Sequence, residues 1–217
     1  MDDPCQYTLF DYWRSSASYR VRIALNLLDL PWHGVTVDLL AGSHRQPEYV
    51  ARNPQGLVPT LTVDGIDLTQ SLAIIEYLNE TVPGARLLPI DPAARHRVRS
   101  LSYSIAMEIH PICNLSVARH VAELTGGGQE ATIAWMQRFI GGGLANVEEM
   151  LRQGEEGAFC HGNTPSMADC CLIPQLYNAR RWGIELGAFN RICAIESACA
   201  SIPAFVAAHP DSVRPSA

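Results

Sequence analysis

The chain has 217 residues, 47% of them apolar and 18% charged, a globular composition that excludes a disordered chain and accommodates two small domains. Its net charge of -6 argues against a nucleic-acid partner, because phosphate binding needs a basic face, but leaves room for a small anion held by a few arginines. The acidic start Met1-Asp2-Asp3-Pro4 does not read as a signal peptide, and no apolar run approaches the ~20 residues of a membrane span. A cytoplasmic protein with no membrane partner is expected.

The first eighty or so residues alternate between strand and helix signals. Tyr7-Thr8-Leu9-Phe10 is β-prone, and from Ser18 the spacing of Val21, Ala24, Leu25 and Leu28 is helical, with Arg20 and Arg22 off the apolar stripe. Pro31 ends that helix. Val35, Val37 and Leu39 then alternate with polar residues as a half-buried strand does. A polar, partly helical stretch runs to Arg52, followed by the loop Asn53-Pro54-Gln55-Gly56-Leu57-Val58-Pro59. Asp64-Gly65 between Leu61, Val63 and Ile66, Leu68 predicts a tight hairpin, since that dipeptide tolerates positive φ. A helix is expected from Ser71, with Ile74, Tyr77 and Leu78 on one face.

This β-α-β, connection, β-β-α order is that of a thioredoxin-like layer, an order that ferredoxin-like units share in part. Pro83-Gly84 and Leu88-Pro89-Ile90-Asp91-Pro92 read as a linker. Beyond it strand signals nearly vanish. A long helix through Val98, Leu101 and Ile105 should be kinked, not ended, by Pro111. Further helices are expected over about 129–153, 166–182 and 188–209. Ser166-Met167-Ala168-Asp169 forms a capping box with aspartate as its acid. The expected architecture is an α/β thioredoxin-like domain at 1–83, a linker at 84–92 and an all-helical domain at 93–217.

The chemistry concentrates in Trp13-Arg14-Ser15-Ser16-Ala17-Ser18-Tyr19-Arg20, between a strand and a helix. One serine serves as an N-cap; alternatively, a hydroxyl and free N–H groups at a helix start stabilise an anion such as a thiolate. The seven cysteines show no CxxC spacing, and Cys170-Cys171 are neighbours that point different ways on a helix. They read as reduced, mostly buried thiols, so a working thiol would have to be imported. Val58-Pro59 either simply starts a strand or exposes Val58 backbone to an extended ligand. Gln70-Ser71 is either an ordinary helix cap or a carboxylate site. No HExxH or paired Cys/His spacing occurs, and Cys160-His161 alone makes no metal site.

Taken together, Arg14-Ser15-Ser16-Ala17-Ser18-Tyr19-Arg20-Val21-Arg22-Ile23-Ala24-Leu25, Asn53-Pro54 with Val58-Pro59-Thr60-Leu61, Gln70-Ser71-Leu72-Ala73-Ile74-Ile75-Glu76-Tyr77-Leu78, Leu87-Leu88-Pro89, Asn114-Leu115-Ser116 and Met167-Ala168-Asp169-Cys170 with Pro174-Gln175 span nearly the whole chain. In these segments the sequence resembles the zeta class of glutathione transferases, the maleylacetoacetate and maleylpyruvate isomerases. The resemblance implies a homodimer that uses glutathione as cofactor. It implies that Ser15 donates to the glutathione sulfur with Ser16 nearby, that Val58 pairs with its cysteinyl backbone beside Pro59, and that Gln70 and Ser71 hold its γ-glutamyl end. Ala17, Ser18, Tyr19, Arg20, His44, His110, Asn114, Leu115 and Ser116 complete the implied cofactor set. His110 and Asn114 are four apart, on one face if the helix continues; a core or surface histidine is the alternative there.

The implied reaction is addition of the glutathione thiolate to the cis double bond of a maleyl diketo acid, rotation, and elimination to the trans isomer. The diacid calls for positive charge, which Arg14 supplies beside the serines, with Arg181 and its neighbour Arg180 added by the resemblance. Arginines in the last turn of a helix also simply complement its dipole. The family commonly carries cysteine where this chain has Ala17, which bears on side reactions and specificity. Competing readings are maleylpyruvate isomerisation, a general transferase that conjugates or dehalogenates small electrophiles such as α-halo acids, and a non-catalytic transferase-fold binding protein. Asn114-Leu115-Ser116 resembles the maleylacetoacetate branch.

Overall fold

The computed structural model describes residues 6–154 and 157–215. Met1–Cys5, on which the expectation about a leader rests, lie outside the described residues. Contacts divide the chain into two compact units: residues up to Leu88 together with those from Ala200 onward, and Pro89–Cys199. The expected second domain ran to the C-terminus; instead its last segment belongs with the first unit.

The first unit is built on a four-stranded sheet of order β2-β1-β3-β4, with β1 at Tyr7–Asp11, β2 at Trp32–Thr36, β3 at Thr60–Val63 and β4 at Ile66–Thr69. β1 runs parallel to β2 and antiparallel to β3, and β3 pairs antiparallel with β4. This is the expected thioredoxin-like layer. The hairpin turns on Asp64 at φ 49° and Gly65 at φ 80°, two positive angles of the kind a two-residue hairpin turn requires. β2 lies three residues earlier than the alternation of Val35, Val37 and Leu39 predicts. Val37 N–H still donates to Asp11 O at 2.7 Å, but Asp38 Oδ1 then accepts from the Leu40 and Ala41 N–H groups and turns the chain out of the sheet.

Helix α1 (Ser16–Leu27) and helix α3 (Ser71–Thr81) pack together in this unit, while α2 is the single turn Pro47–Val50. Leu9, Val21, Ala24, Leu25, Leu61, Ile74 and Leu78 are fully or almost fully buried, each larger side chain contributing about 1.5–3 kcal/mol by leaving water. Arg20 and Arg22 are buried as well, at 2% and 0% exposure, although they lie off the apolar stripe.

The second unit is helical: α4 (Pro92–Tyr103), a π-helical turn over Ser104–Ile109, α5 (Leu115–Thr125), α6 (Gly128–Arg152), α7 (Met167–Arg181) and α8 (Asn190–Ala200). Pro111 does not kink a continuous helix. The helix ends at the π-turn, and a short turn containing Pro111 leads into α5, because a proline N cannot sustain the ladder. The single helix expected over 188–209 is two: α8 stops before Ile202, and α9 (Pro203–Ala208) restarts with proline at its first position and packs on α1. The Ser166–Asp169 capping box is present. Among the described residues no helix is long and apolar enough to cross a membrane.

Candidate active site

Strand register brings the three sequence-predicted segments to one end of the sheet. Phe10 is opposite Thr60 and Thr60 is opposite Thr69. The turn after β1, the Val58-Pro59 step before β3 and the Gln70-Ser71 step after β4 therefore leave the sheet together.

In the first of these segments Ser15 is the N-cap of α1. Its Oγ accepts from the Ser18 N–H at 3.2 Å, which leaves the hydroxyl proton available for donation. Ser15 N–H donates to Tyr12 O, while the N–H groups of Ser16 and Ala17 meet no acceptor among the described residues. One donor hydroxyl and two open amides thus face outward at the positive end of a 12-residue helix, the arrangement that lowers the energy of an adjacent anion. The cap reading of the serines is the one observed at Ser15, and it is compatible with the anion reading because the cap leaves the hydroxyl proton unused. Ser18, Tyr19 and Arg20 are buried and support this turn from beneath.

Val58-Pro59 is a cis peptide. Tyr49 Oη and Asn53 Nδ2 both donate to Leu57 O at 2.7 Å, fixing the preceding loop, and neither the N–H nor the C=O of Val58 is used by another described residue. Gly56, at φ 60°, lies against His44 O, to which an added Cβ would come within 3.0 Å. His44 occupies the short turn Ser43–Arg45, and burial, then the neighbouring Arg45 charge, lowers its pKa from the ordinary value. Gln70 stands at φ 67° directly before α3, and its Nε2 donates to Gln55 Oε1 at 2.6 Å. Ser71 Oγ accepts from Arg20 at 3.2 Å, tying the α3 start to the helix that bears the serines.

Arg14 is a cation without a carboxylate among the described residues. Its terminal nitrogen donates to Tyr12 Oη at 3.2 Å, its Nε is buried with no partner, and its guanidinium carbon lies 5.0 Å from the Trp13 ring centre. Beneath it, Arg22 bonds Asp11 Oδ2 at 2.6 Å, Trp13 O at 3.0 Å and Ala208 O at 3.0 Å. A buried guanidinium with one carboxylate and two carbonyls is well satisfied, and it fastens strand, turn and C-terminal segment to one point. Sequence reading missed Gln55, Tyr12, Asp11 and Arg22 as members of this arrangement; the single available signal was the pair of arginines off the α1 stripe.

The second unit carries the remaining predicted residues. His110 ends the π-turn and Asn114 caps α5, its Oδ1 accepting from the Ser116 N–H and hydroxyl at 3.0 Å. They are thus not stacked on one helical face, which corrects the expectation from their spacing. Trp135 Nε1 donates to Ile112 O at 2.8 Å and fixes the turn between them. Leu115 is exposed at the α5 start. At the end of α7 the Arg180 guanidinium forms a two-point pair with Glu196, one arm at 2.6 Å, whereas Arg181 is exposed beside it.

The six described cysteines are all free thiols in the second unit, five of them buried. Burial pushes the Cys113 thiol up to about 11 and also raises those of Cys160, Cys170 and Cys199, so these four thiols are held in their protonated form. Among the described residues no group of histidines, cysteines or carboxylates is placed to hold a metal.

Residues 5–80 match the family model of the glutathione S-transferase N-terminal domain. Maleylacetoacetate isomerase from Rhizobium meliloti (strain 1021) is 60% identical over 207 residues, 95% of this chain and 97% of that protein. The chain belongs to the zeta-class glutathione transferases. Another relative of this zeta-class chain, maleylpyruvate isomerase from Ralstonia sp, is 39% identical over 94% of this chain and 99% of that one. The holo structure of a bacterial zeta-class maleylpyruvate isomerase superposes with a TM-score of 0.93 at 38% identity, covering 97% and 100% of the two chains. Maleylacetoacetate isomerase from Anaeromyxobacter dehalogenans 2CP-1, with glutathione bound in its active site, superposes at 0.88 with 41% identity and 98% coverage of each.

Proposed function

We propose that this zeta-class chain is a glutathione-dependent maleylacetoacetate isomerase, converting a cis maleyl diketo acid to its trans isomer. The observation that carries this is the Ser15 turn: a hydroxyl with its proton to give and two unclaimed N–H groups, beside an arginine without an acid. The fit to a γ-glutamyl-cysteinyl peptide is good at each end. Val58 offers an unused backbone N–H and C=O for an extended cysteinyl unit, and the α3 start at Gln70-Ser71 offers amides to a carboxylate. His44, whose pKa is lowered by partial burial and then by the Arg45 charge, lies in the adjoining turn.

When bound, glutathione supplies a thiolate that adds to the double bond, permits rotation and departs unchanged. The chain does the rest. Ser15 Oγ donates to the sulfur and favours its charged form, the open amides of Ser16 and Ala17 add to that field, and Arg14 holds a substrate carboxylate and draws charge from the reacting carbons. Ala17 supplies no thiol at this turn, and the reacting sulfur is proposed to be the cofactor's. On the family resemblance alone, Arg181 is proposed as a further carboxylate ligand and His110, Asn114, Leu115 and Ser116 as further binding residues. Arg180, which pairs with Glu196, is kept as the second candidate for that role.

The enzyme is further proposed to work as a cytoplasmic homodimer. A groove of about 750 Å³ on the α4 face, lined by Arg95, His96, Arg99 and Met107 beside Ile90, leaves Ile90 and Met107 at 82% and 59% exposure. A second copy of this chain is the proposed occupant, since exposed apolar groups favour burial against a partner and the arginines and Glu108 of the same lining offer it charged contacts.

Isomerisation of maleylacetoacetate and of maleylpyruvate, each with and without glutathione, tests the assignment. Turnover of the first, dependent on glutathione, is expected. Preference for maleylpyruvate would move the chain to the reading that the Ralstonia relative represents, and conjugate formation in place of isomerisation would overturn the assignment.

A further inference from the structure

The C-terminal segment returns to the serine turn and is secured there at successive points. Arg22 donates to Ala208 O and, from the same guanidinium, to Trp13 O. The His209 ring meets Tyr19 edge-on at 6.1 Å, and its Nδ1 accepts from the Asp211 N–H at 3.2 Å. Ser212 Oγ donates to Val206 O at 2.9 Å. Val213 then lines a cavity of about 100 Å³ with Asp11, Trp13 and Trp32. These contacts deliver Arg214 to Trp13, its guanidinium carbon 5.0 Å from the ring centre.

Arg14 lies at the same 5.0 Å from the same ring. Neither guanidinium has a carboxylate among the described residues. Trp13 thus gathers two uncompensated cations within about one Debye length of each other at ordinary ionic strength (~10 Å). Placing two like charges together costs energy unless an anion offsets it, and a dianion offsets it better than a monoanion. A stacked guanidinium keeps its N–H edge available for a carboxylate.

We propose that Arg214 is a specificity-determining residue of the acceptor site, a second cation on the Trp13 platform that favours dicarboxylate over monocarboxylate acceptors. The proposal rests on the isomerase reading for its substrate but not for its test. It also gives the terminal segment a role that no local sequence signal shows, because Arg14 and Arg214 are at opposite ends of the chain.

The test compares wild type, Arg214→Ala and Arg214→Lys with two four-carbon probes, succinate and butyrate. Each is measured with glutathione present, as a competitive inhibitor of turnover and by direct calorimetry. Arg214→Ala should weaken succinate about three- to fivefold, the range of an exposed charge pair, and raise the KM of the diacid in step. Butyrate affinity, glutathione affinity and kcat should stay within about twofold, and the difference should shrink in high salt. Arg214→Lys should restore most of the succinate affinity. Unchanged succinate affinity, equal weakening of both probes, equal weakening of glutathione, or no succinate binding by the wild type would each overturn the proposal. If isomerisation is absent while succinate binding still depends on Arg214, the isomerase reading fails and the dicarboxylate site stands.

Discussion

At the scale of single residues, the site depends on groups left incomplete by the protein itself. Ser15 spends a lone pair on its helix and keeps its proton. Its conversion to alanine removes both cap and donor, so Ser15→Ala should lower kcat/KM by about 100-fold or more, as loss of a preorganised donor does, and weaken retention on immobilised glutathione. Undiminished retention and turnover would remove Ser15 from the mechanism. Arg14→Ala and Arg181→Ala should raise the KM of the diacid more than that of glutathione; equal effects would count against carboxylate binding. His44 adds a pH signature. Its folded pKa is below the ordinary value, so as pH falls through about 6.5 the unfolded chain takes up the proton first and stability declines. In His44→Gln the acid-side loss of denaturation midpoint should be shallower over that window.

At the scale of elements, two buried ionic groups hold segments in place. Arg22 fastens β1, the serine turn and the end of α9; Arg22→Met leaves Asp11 buried without its counter-charge and should cost about 3–5 kcal/mol in denaturant unfolding. Asp169 accepts from the N–H groups of Ser166 and Cys160 and from the Ser166 hydroxyl at 2.8–2.9 Å. Only the capping part of this was legible in the sequence. Local signals were sufficient for the Asp64-Gly65 hairpin, the α1 stripe and the Ser166 cap, because turn chemistry, periodicity and caps act within a few residues. They failed for β2, where the edge strand ends at the Asp38 side-chain turn and not where the alternation ends. They failed again at Pro111 and Pro203, where a proline signals a break without telling kink from stop. The Arg22 bond to Ala208 spans 186 positions, and no period or motif reports a contact at that separation. The same is true of Arg214 and Trp13. Of the site itself, the serines, Val58-Pro59 and Gln70-Ser71 were legible as separate signals; their meeting at one sheet end came from strand register.

For the whole molecule, the grooved α4 face and the chemistry of the acceptor make separate demands. If a second copy covers the groove, Ile90→Glu with Met107→Glu should convert a species of twice the chain mass into monomer in sedimentation velocity; a wild type that sediments as monomer would end the dimer proposal. The central claim is that the thiol is borrowed and returned. Its most direct test follows free thiol and product together during turnover of maleylacetoacetate at a glutathione concentration far below that of substrate. The account predicts complete conversion to the trans diacid with the thiol titre unchanged. Conversion that stops when glutathione is exhausted, with one thiol lost for each acceptor consumed, would contradict it.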